Sequence, residues 1–171
     1  MNMKIISQLY SAIILCLLTN TAFAHMKDSA VGSSSLNIIA TDVYTVSCGT
    51  DDAGVSNKLE VQIKTKTPKN TATVPNYVRL NVQIIKDSIP SSAETDPING
   101  DAVYSKSASL VGGSGDYTVI VTKPVATSTS CDNGAVFAKP ANKVYTYTMQ
   151  YHCKAADGNH TPTDLIQTLN Q

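Results

Sequence analysis

The feature that most constrains this chain is a period of two in its apolar residues. The alternation is clearest over residues 59–64, 78–84, 117–122 and 145–153. In an extended strand this period puts every second side chain on one face, whereas no stretch of the chain carries a helical stripe. Weaker strands are predicted at residues 41–48 and 103–110, and a further one at residues 36–40. We therefore predict an all-β fold, a single-domain antiparallel β-sandwich of about six to eight strands.

The first 24 residues have the pattern of a secretory signal peptide. Lys4 gives a positive start, residues 13–18 (IILCLL) are apolar, and residues 22–24 (AFA) form an A-x-A cleavage site. The apolar run is shorter than the roughly 20 residues that a membrane-spanning helix needs. We predict cleavage after Ala24, which makes His25 the new N-terminus, and a periplasmic or secreted protein.

After cleavage, residues 25–34 are polar and without pattern, which predicts a flexible N-terminal arm before a β-sandwich domain over residues 35–171. Without Lys4 the chain carries 12 basic and 13 acidic residues. This balance argues against nucleic acid as a partner. No second apolar run approaches the length of a membrane span, so we expect none. The partner class that remains is an unknown protein or cell-surface partner.

The cysteines predict one disulfide. Cys16 is removed with the signal peptide, which leaves Cys48, Cys131 and Cys153, an odd number. Cys48 and Cys153 each end a predicted strand on its apolar face. If those strands are neighbours, a bond between them closes a loop of just over a hundred residues and stabilises the fold by roughly 4–5 kcal/mol. The alternative pairs Cys131, from a Ser/Thr-rich segment, with one of the other two.

The order of these motifs resembles the bacterial pre-peptidase C-terminal domain, a secreted β-sandwich usually appended to proteases and other exported enzymes. The similarity runs from Asp42 to about Cys153. The resemblance implies a non-catalytic module for binding, secretion or solubility. It is carried by Asp42 with Tyr44, the L-x-V-x-I of residues 59–63, the strand ending in Lys86-Asp87, the G-x-G-x-Y-x-V-x-V of residues 113–121, and a closing Y-x-Y-x-M strand.

The histidines suggest a copper site. An N-terminal His25 offers its α-amine and its imidazole as one chelate, and a second histidine completes a T-shaped site of the histidine-brace type. Imidazole and amine nitrogens suit Cu(II), and the neighbouring Met26 is a soft donor for Cu(I). His152, on the outward face of the last strand, and His160, in a Gly-Asn-His segment, are the candidate partners. The alternative is a disordered tail whose first residue happens to be histidine.

Calcium is a second candidate ligand, because loop acids supply the oxygen atoms that it prefers. Their spacing does not fit an EF-hand, and ordinary turn chemistry explains the same residues. The residues concerned are Asp51, Asp52, Asp87, Glu94, Asp96, Asn99 and Asp101.

No motif supports catalysis. His152 and Cys153 are adjacent on a strand and point to opposite faces, so they do not form a nucleophilic pair. The segment Gly112–Gly115 lacks the Lys-Ser/Thr of a phosphate loop and predicts a turn. Three tyrosines alternate with polar residues in the last strand, which favours the core over a sugar-binding platform: Tyr145, Tyr147 and Tyr151.

Taken together, these patterns predict a non-enzymatic exported protein without a cofactor, acting as a binding or structural module in surface interactions. The alternative is a periplasmic copper-binding protein that uses the mature N-terminal histidine. Its metal ligands are His25, His152 and His160, and its disulfide is Cys48–Cys153.

Overall fold

The computed structural model describes residues 25–32, 40–66, 79–123 and 144–170, which form strands and no helix. Every pairing between these strands is antiparallel. The predicted all-β antiparallel fold is therefore confirmed. In chain order the strands are β1 (His25–Val31), β2 (Ala40–Cys48), β3 (Thr50–Asp51), β4 (Gly54–Val55), β5 (Lys58–Thr65), β6 (Asn81–Lys86), β7 (Ile89–Pro90), β8 (Glu94–Thr95), β9 (Ala108–Val111), β10 (Gly115–Lys123), β11 (Tyr145–Lys154), β12 (His160–Thr161) and β13 (Thr163–Leu169).

The strands form two packed sheets and one small hairpin. The first sheet has the order β1-β11-β5-β9, with β12 also paired to β11. The second has the order β13-β2-β10-β6-β7, with β8 also paired to β6, and β3 pairs with β4. The thirteen strands exceed the predicted six to eight because five of them contain only two residues. Eight strands of four residues or more build the sandwich itself.

The core lies between the sheets and follows the alternation of the sequence. Strand β2 alternates strictly between buried and half-buried residues, and β5 does the same. Burying these side chains removes apolar surface from water, which is the main force that stabilises a sandwich. Tyr145, Tyr147 and Tyr151 are all buried, which confirms the prediction that they belong to the core rather than to a sugar-binding platform.

The disulfide joins the two sheets. Cys48 at the end of β2 is bonded to Cys153 in β11, with their Cα atoms 5.5 Å apart and a sequence separation of 105. This is the predicted pairing. The two strands are neighbours across the sandwich, in opposite sheets. Cys131 lies outside the described residues, as do the predicted signal peptide and most of the predicted strand at residues 36–40.

The structure differs from the sequence prediction at the N-terminal end of the domain. Residues 25–31, predicted as part of a flexible arm, form β1 at the edge of the first sheet. Seven backbone pairings to β11 hold it there, and Val31 is fully buried. The strand was missed because its other inward residues are polar, so it lacks the apolar alternation. At the other end, the polar sequence of residues 155–171 predicts either an edge strand or a short helical turn, and Thr163–Leu169 form the edge strand β13.

In each of two loops, a serine forms the same pair of hydrogen bonds with an isoleucine of a neighbouring strand. The Oγ atom of Ser91 accepts a hydrogen bond from the backbone N–H of Ile84 at 3.0 Å, and Ser105 does the same for Ile63 at 3.1 Å. The backbone N–H of each serine returns a bond to the carbonyl of the same isoleucine. Ile84 pairs with β10 and Ile63 with β11 on one side only. On the other side no described strand is paired at these positions, and the serines satisfy the buried backbone groups there.

In the part of the chain that the structure describes, no helix is long and apolar enough to span a membrane.

Candidate metal centre

All three histidines of this chain meet at one corner of the first sheet. The ring centres of His152 and His160 are 4.5 Å apart, and the two rings stand edge to face. The ring centre of His25 lies 6.4 Å from that of His152. These are the three residues that the sequence proposed as metal ligands, and they come from three different strands.

The strand register explains why they meet. Strands β1 and β12 lie end to end along the same edge of β11, because β5 occupies its other edge. His25 begins β1 opposite Tyr151, and His160 lies in β12 opposite Lys154. His152 is between those two positions on β11, opposite the junction of β1 and β12. Each neighbouring strand therefore contributes one histidine beside His152.

His152 is held as a neutral imidazole. Burial is the main cause that lowers its pKa to about 4, and the nearby His160, Lys154 and His25 lower it further, against the opposing effect of Glu60. Its Nδ1 atom is buried and has no hydrogen-bond partner among the described residues. A buried nitrogen without a partner is costly, and it is also the lone pair that a metal ion requires.

The pKa of His160 is lowered as well, first by burial and then by Lys154 and His25. A metal ion binds only the neutral form of a histidine. Both rings are therefore ready to bind a metal without first losing a proton at neutral pH. The sequence placed these histidines but gave no sign of the lysine beside them, because Lys154 and His160 become neighbours only through the strand pairing.

A charged network borders His152 and His160 on the outward face, whereas His25 lies opposite the inward-facing Tyr151. Glu60 lies opposite His152, and its two oxygens contact the ammonium groups of Lys58 and Lys154, each at 2.6 Å. Burial raises the pKa of Glu60, but hydrogen bonds from Lys154 and Lys58 outweigh it and leave the pKa lowered. Both oxygens of this carboxylate are thus committed to lysines. The atoms that remain at this corner as possible metal ligands are the imidazole nitrogens.

The rings are in contact but not yet arranged around a common point. Among the described residues, no three His, Cys, Asp or Glu side chains converge closely enough to hold an ion as they stand. Two imidazoles bound tetrahedrally to one ion have ring centres about 5 Å apart, given metal–nitrogen bonds of about 2 Å. The observed 4.5 and 6.4 Å lie on either side of that distance. Binding an ion therefore requires the rings to move from the positions seen here.

The acidic residues named as calcium candidates do not converge at any point of the described chain. Several cap turns instead: Asp51 accepts a hydrogen bond from the backbone of Ala53, and Asp101 accepts one from Val103. Asp96 accepts the backbone N–H of Thr65 at 2.6 Å. The calcium alternative stays a prediction.

Two surface cavities adjoin β1. A cleft of about 580 Å³ separates β1 from β13, and Lys27, Ser29 and Gln167 contribute to its lining. A second pocket of about 450 Å³ lies on the outward face and includes Met26 and Tyr104. Met26 is 62% exposed, and its sulfur accepts a hydrogen bond from the Tyr104 hydroxyl at 3.7 Å. Neither cavity contains a histidine.

No family model, curated protein or solved structure matches this chain. The resemblance to the pre-peptidase C-terminal domain therefore stays a prediction. Function has to be inferred from the histidine corner itself.

Proposed function

We propose that this chain is an exported, non-enzymatic β-sandwich protein that binds copper through the imidazoles of His25, His152 and His160. The observation that carries the proposal is that the only three histidines of the chain, distant in sequence, meet beside one another. Export to the periplasm or beyond is part of the proposal and rests on the signal pattern of residues 1–24. The disulfide is consistent with an oxidising compartment.

The donor set favours copper over the other common metal ions. Calcium and magnesium prefer oxygen donors, and the one nearby carboxylate, Glu60, is bound to Lys58 and Lys154. Imidazole nitrogens bind Cu(II) more tightly than the other divalent first-row ions. The exposed thioether of Met26, which follows His25 directly, adds a soft donor of the kind that Cu(I) prefers.

The buried Nδ1 atom of His152 also supports the proposal. Buried polar atoms in native proteins nearly always have a partner, and an exception calls for an explanation. A bound ion supplies one, since it would occupy the lone pair that no described residue contacts. Because the pKa of His152 is about 4, protons do not compete with the ion at neutral or mildly acidic pH.

The test is a competition titration of residues 25–171 with Cu(II) against a chromophoric chelator. We expect one tight equivalent per chain, and at least a tenfold loss of affinity in His152→Asn and in His160→Asn. The matched control is Ser92→Asn, an exposed position outside the corner. Circular dichroism spectra must show that the variants are folded. Unchanged Cu(II) affinity in both histidine variants would overturn the proposal.

A binding partner of the protein or cell-surface class is a second candidate, favoured by the edge strand β13. Its outward residues Ile166 and Leu169 are exposed, and an edge strand offers unpaired backbone groups to an extended segment of a partner. If this edge binds a partner, Ile166→Lys should abolish the contact while leaving Cu(II) binding unchanged. Pull-down of candidate surface proteins with both forms tests it.

A further inference from the structure

We infer that the α-amine of His25, released by cleavage after Ala24, is a fourth nitrogen donor of the copper site. The complete site then exists only in the processed chain. The inference rests on the proposed function and deepens it, because it names the remaining donor and makes copper loading depend on maturation.

The junction of β1 and β12 fixes where that amine lies. Because β1 runs antiparallel to β11, a residue preceding His25 along the same edge would lie opposite His152. The next position, opposite Cys153, is already taken by Thr161 of β12. Along this edge a single residue position therefore lies between the two strands, and it is the position opposite His152 in the register. An amine that ends the chain at His25 would be located there.

The chain after β12 turns away from this place. The carbonyl of Pro162 accepts a hydrogen bond from the backbone N–H of Gly49 at 2.9 Å, and β13 then pairs with β2 in the second sheet. The strand pairing along this edge of β11 thus ends at Thr161, although the Thr163 hydroxyl still accepts the Cys153 N–H at 3.1 Å. No described residue pairs with His152 on this edge, which leaves that position to the nitrogen atom of His25.

Strand β1 is anchored well enough to hold the amine in position. The carboxylate of Asp28 accepts a hydrogen bond from Thr148 at 2.7 Å and contacts the ammonium group of Lys66 at 2.7 Å. On the inward side, the hydroxyl of Ser29 donates to the buried carboxylate of Asp42 at 3.3 Å. These contacts fix the register of β1 against β11, and the register determines which residue of β11 lies beside His25.

The unprocessed and the processed chain differ chemically at one atom of this site, the backbone nitrogen of His25. In the unprocessed chain the nitrogen of His25 belongs to a peptide bond, and its lone pair is delocalised into the carbonyl group. After cleavage it is an amine with a pKa of about 8, which loses a proton when it binds a metal. Amine and imidazole of the same residue then chelate one ion. His152 and His160 supply two further nitrogens from the fixed strands.

The experiment compares three proteins: residues 25–171 beginning at His25, the same chain with Ala24 retained and acetylated at its N-terminus, and the first protein acetylated at its N-terminus. Each is titrated with Cu(II) in competition with a chelator, with and without His152→Asn. The synthetic peptide of residues 25–31 measures what the amine and imidazole of His25 bind without the other strands. Electron paramagnetic resonance reports the number of bound nitrogens.

We expect retention of Ala24, or acetylation, to lower Cu(II) affinity at least a hundredfold and to remove one nitrogen from the resonance spectrum. The protein beginning at His25 should also bind more tightly than the peptide. If the extended and acetylated forms bind as tightly as the processed one, while His152→Asn still weakens binding, the inference is wrong and the proposed function stands. If His152→Asn changes nothing in any form, both are wrong.

Discussion

His152 shows how neighbours decide the chemistry of a single residue. Its outward position follows from the alternation of β11 and was predicted from the sequence. Its neutrality was not predictable, because its burial and the proximity of His160 arise only when β12 and β5 pair with β11. Sequence alone thus named the three candidate ligands, but it gave neither their spacing nor their protonation state.

The lowered pKa of His152 makes a prediction about acid stability. Its pKa rises from about 4 in the folded protein to about 6.5 in the unfolded chain, so the unfolded chain binds more protons between those values. The contribution of His152 to the free energy of unfolding is fully present above pH 6.5 and is lost as the pH falls towards 4. We expect the melting temperature of the metal-free protein to decline over this window, and less steeply in His152→Asn.

Carboxylates also lose stability in acid, so the comparison between the two proteins carries the prediction. Both should show the same slope below pH 4, where His152 is protonated in the folded state as well. Parallel melting curves across pH 4 to 6.5 would mean that His152 titrates normally in the folded protein. Differential scanning calorimetry at fixed ionic strength is the measurement.

At the scale of elements, strands β5 and β6 use the same device in the two sheets. Each contains Val-Gln-Ile, at residues 61–63 and 82–84. The backbone N–H of each isoleucine donates to the Oγ atom of a loop serine, and the isoleucine carbonyl accepts the N–H of the same serine. The glutamine side chains repeat the pattern, because each donates to the carbonyl of the same serine. The sequence shows the tripeptides but hides the relation, since one serine is 42 residues from its isoleucine and the other 7.

These serines should matter equally for stability. Ser91→Ala or Ser105→Ala leaves the buried N–H of one isoleucine without its acceptor, which costs about 1–3 kcal/mol. The matched control is Ser92→Ala, whose side chain is exposed and should change stability by less than about 0.5 kcal/mol. Urea unfolding followed by circular dichroism measures all three. A serine variant as stable as the control would show that water replaces the lost acceptor.

At the scale of the whole molecule, the sequence predicted which residues face the core but not the order of the strands. Alternation assigns each side chain to a face, and it marked Cys48 and Cys153 as inward ends of two strands. The path of β1 was not predictable, because its position depends on backbone pairing and on polar contacts such as Ser29 with Asp42. Pairing partners are set by tertiary packing, which local periodicity does not encode.

The disulfide gives a prediction for the whole fold. Replacing Cys48 and Cys153 together by alanine releases a constraint over 105 residues, which costs about 4–5 kcal/mol in the chain-entropy treatment. The control is Cys131→Ala, which leaves that bond in place and should unfold at the same urea concentration as the wild type. Peptide mapping without reduction should recover Cys48 linked to Cys153. A crosslink to Cys131 would contradict the assignment.

The meeting of β1 and β12 on one edge has a consequence for how long the protein survives among proteases. Chain ends usually fray and are where exopeptidases begin. An ion bound by His25, His152 and His160 would crosslink the N-terminal strand β1 to strands β11 and β12 near the other end of the chain. Copper would then protect this protein from trimming, and its loss would mark the protein for degradation from its first residue.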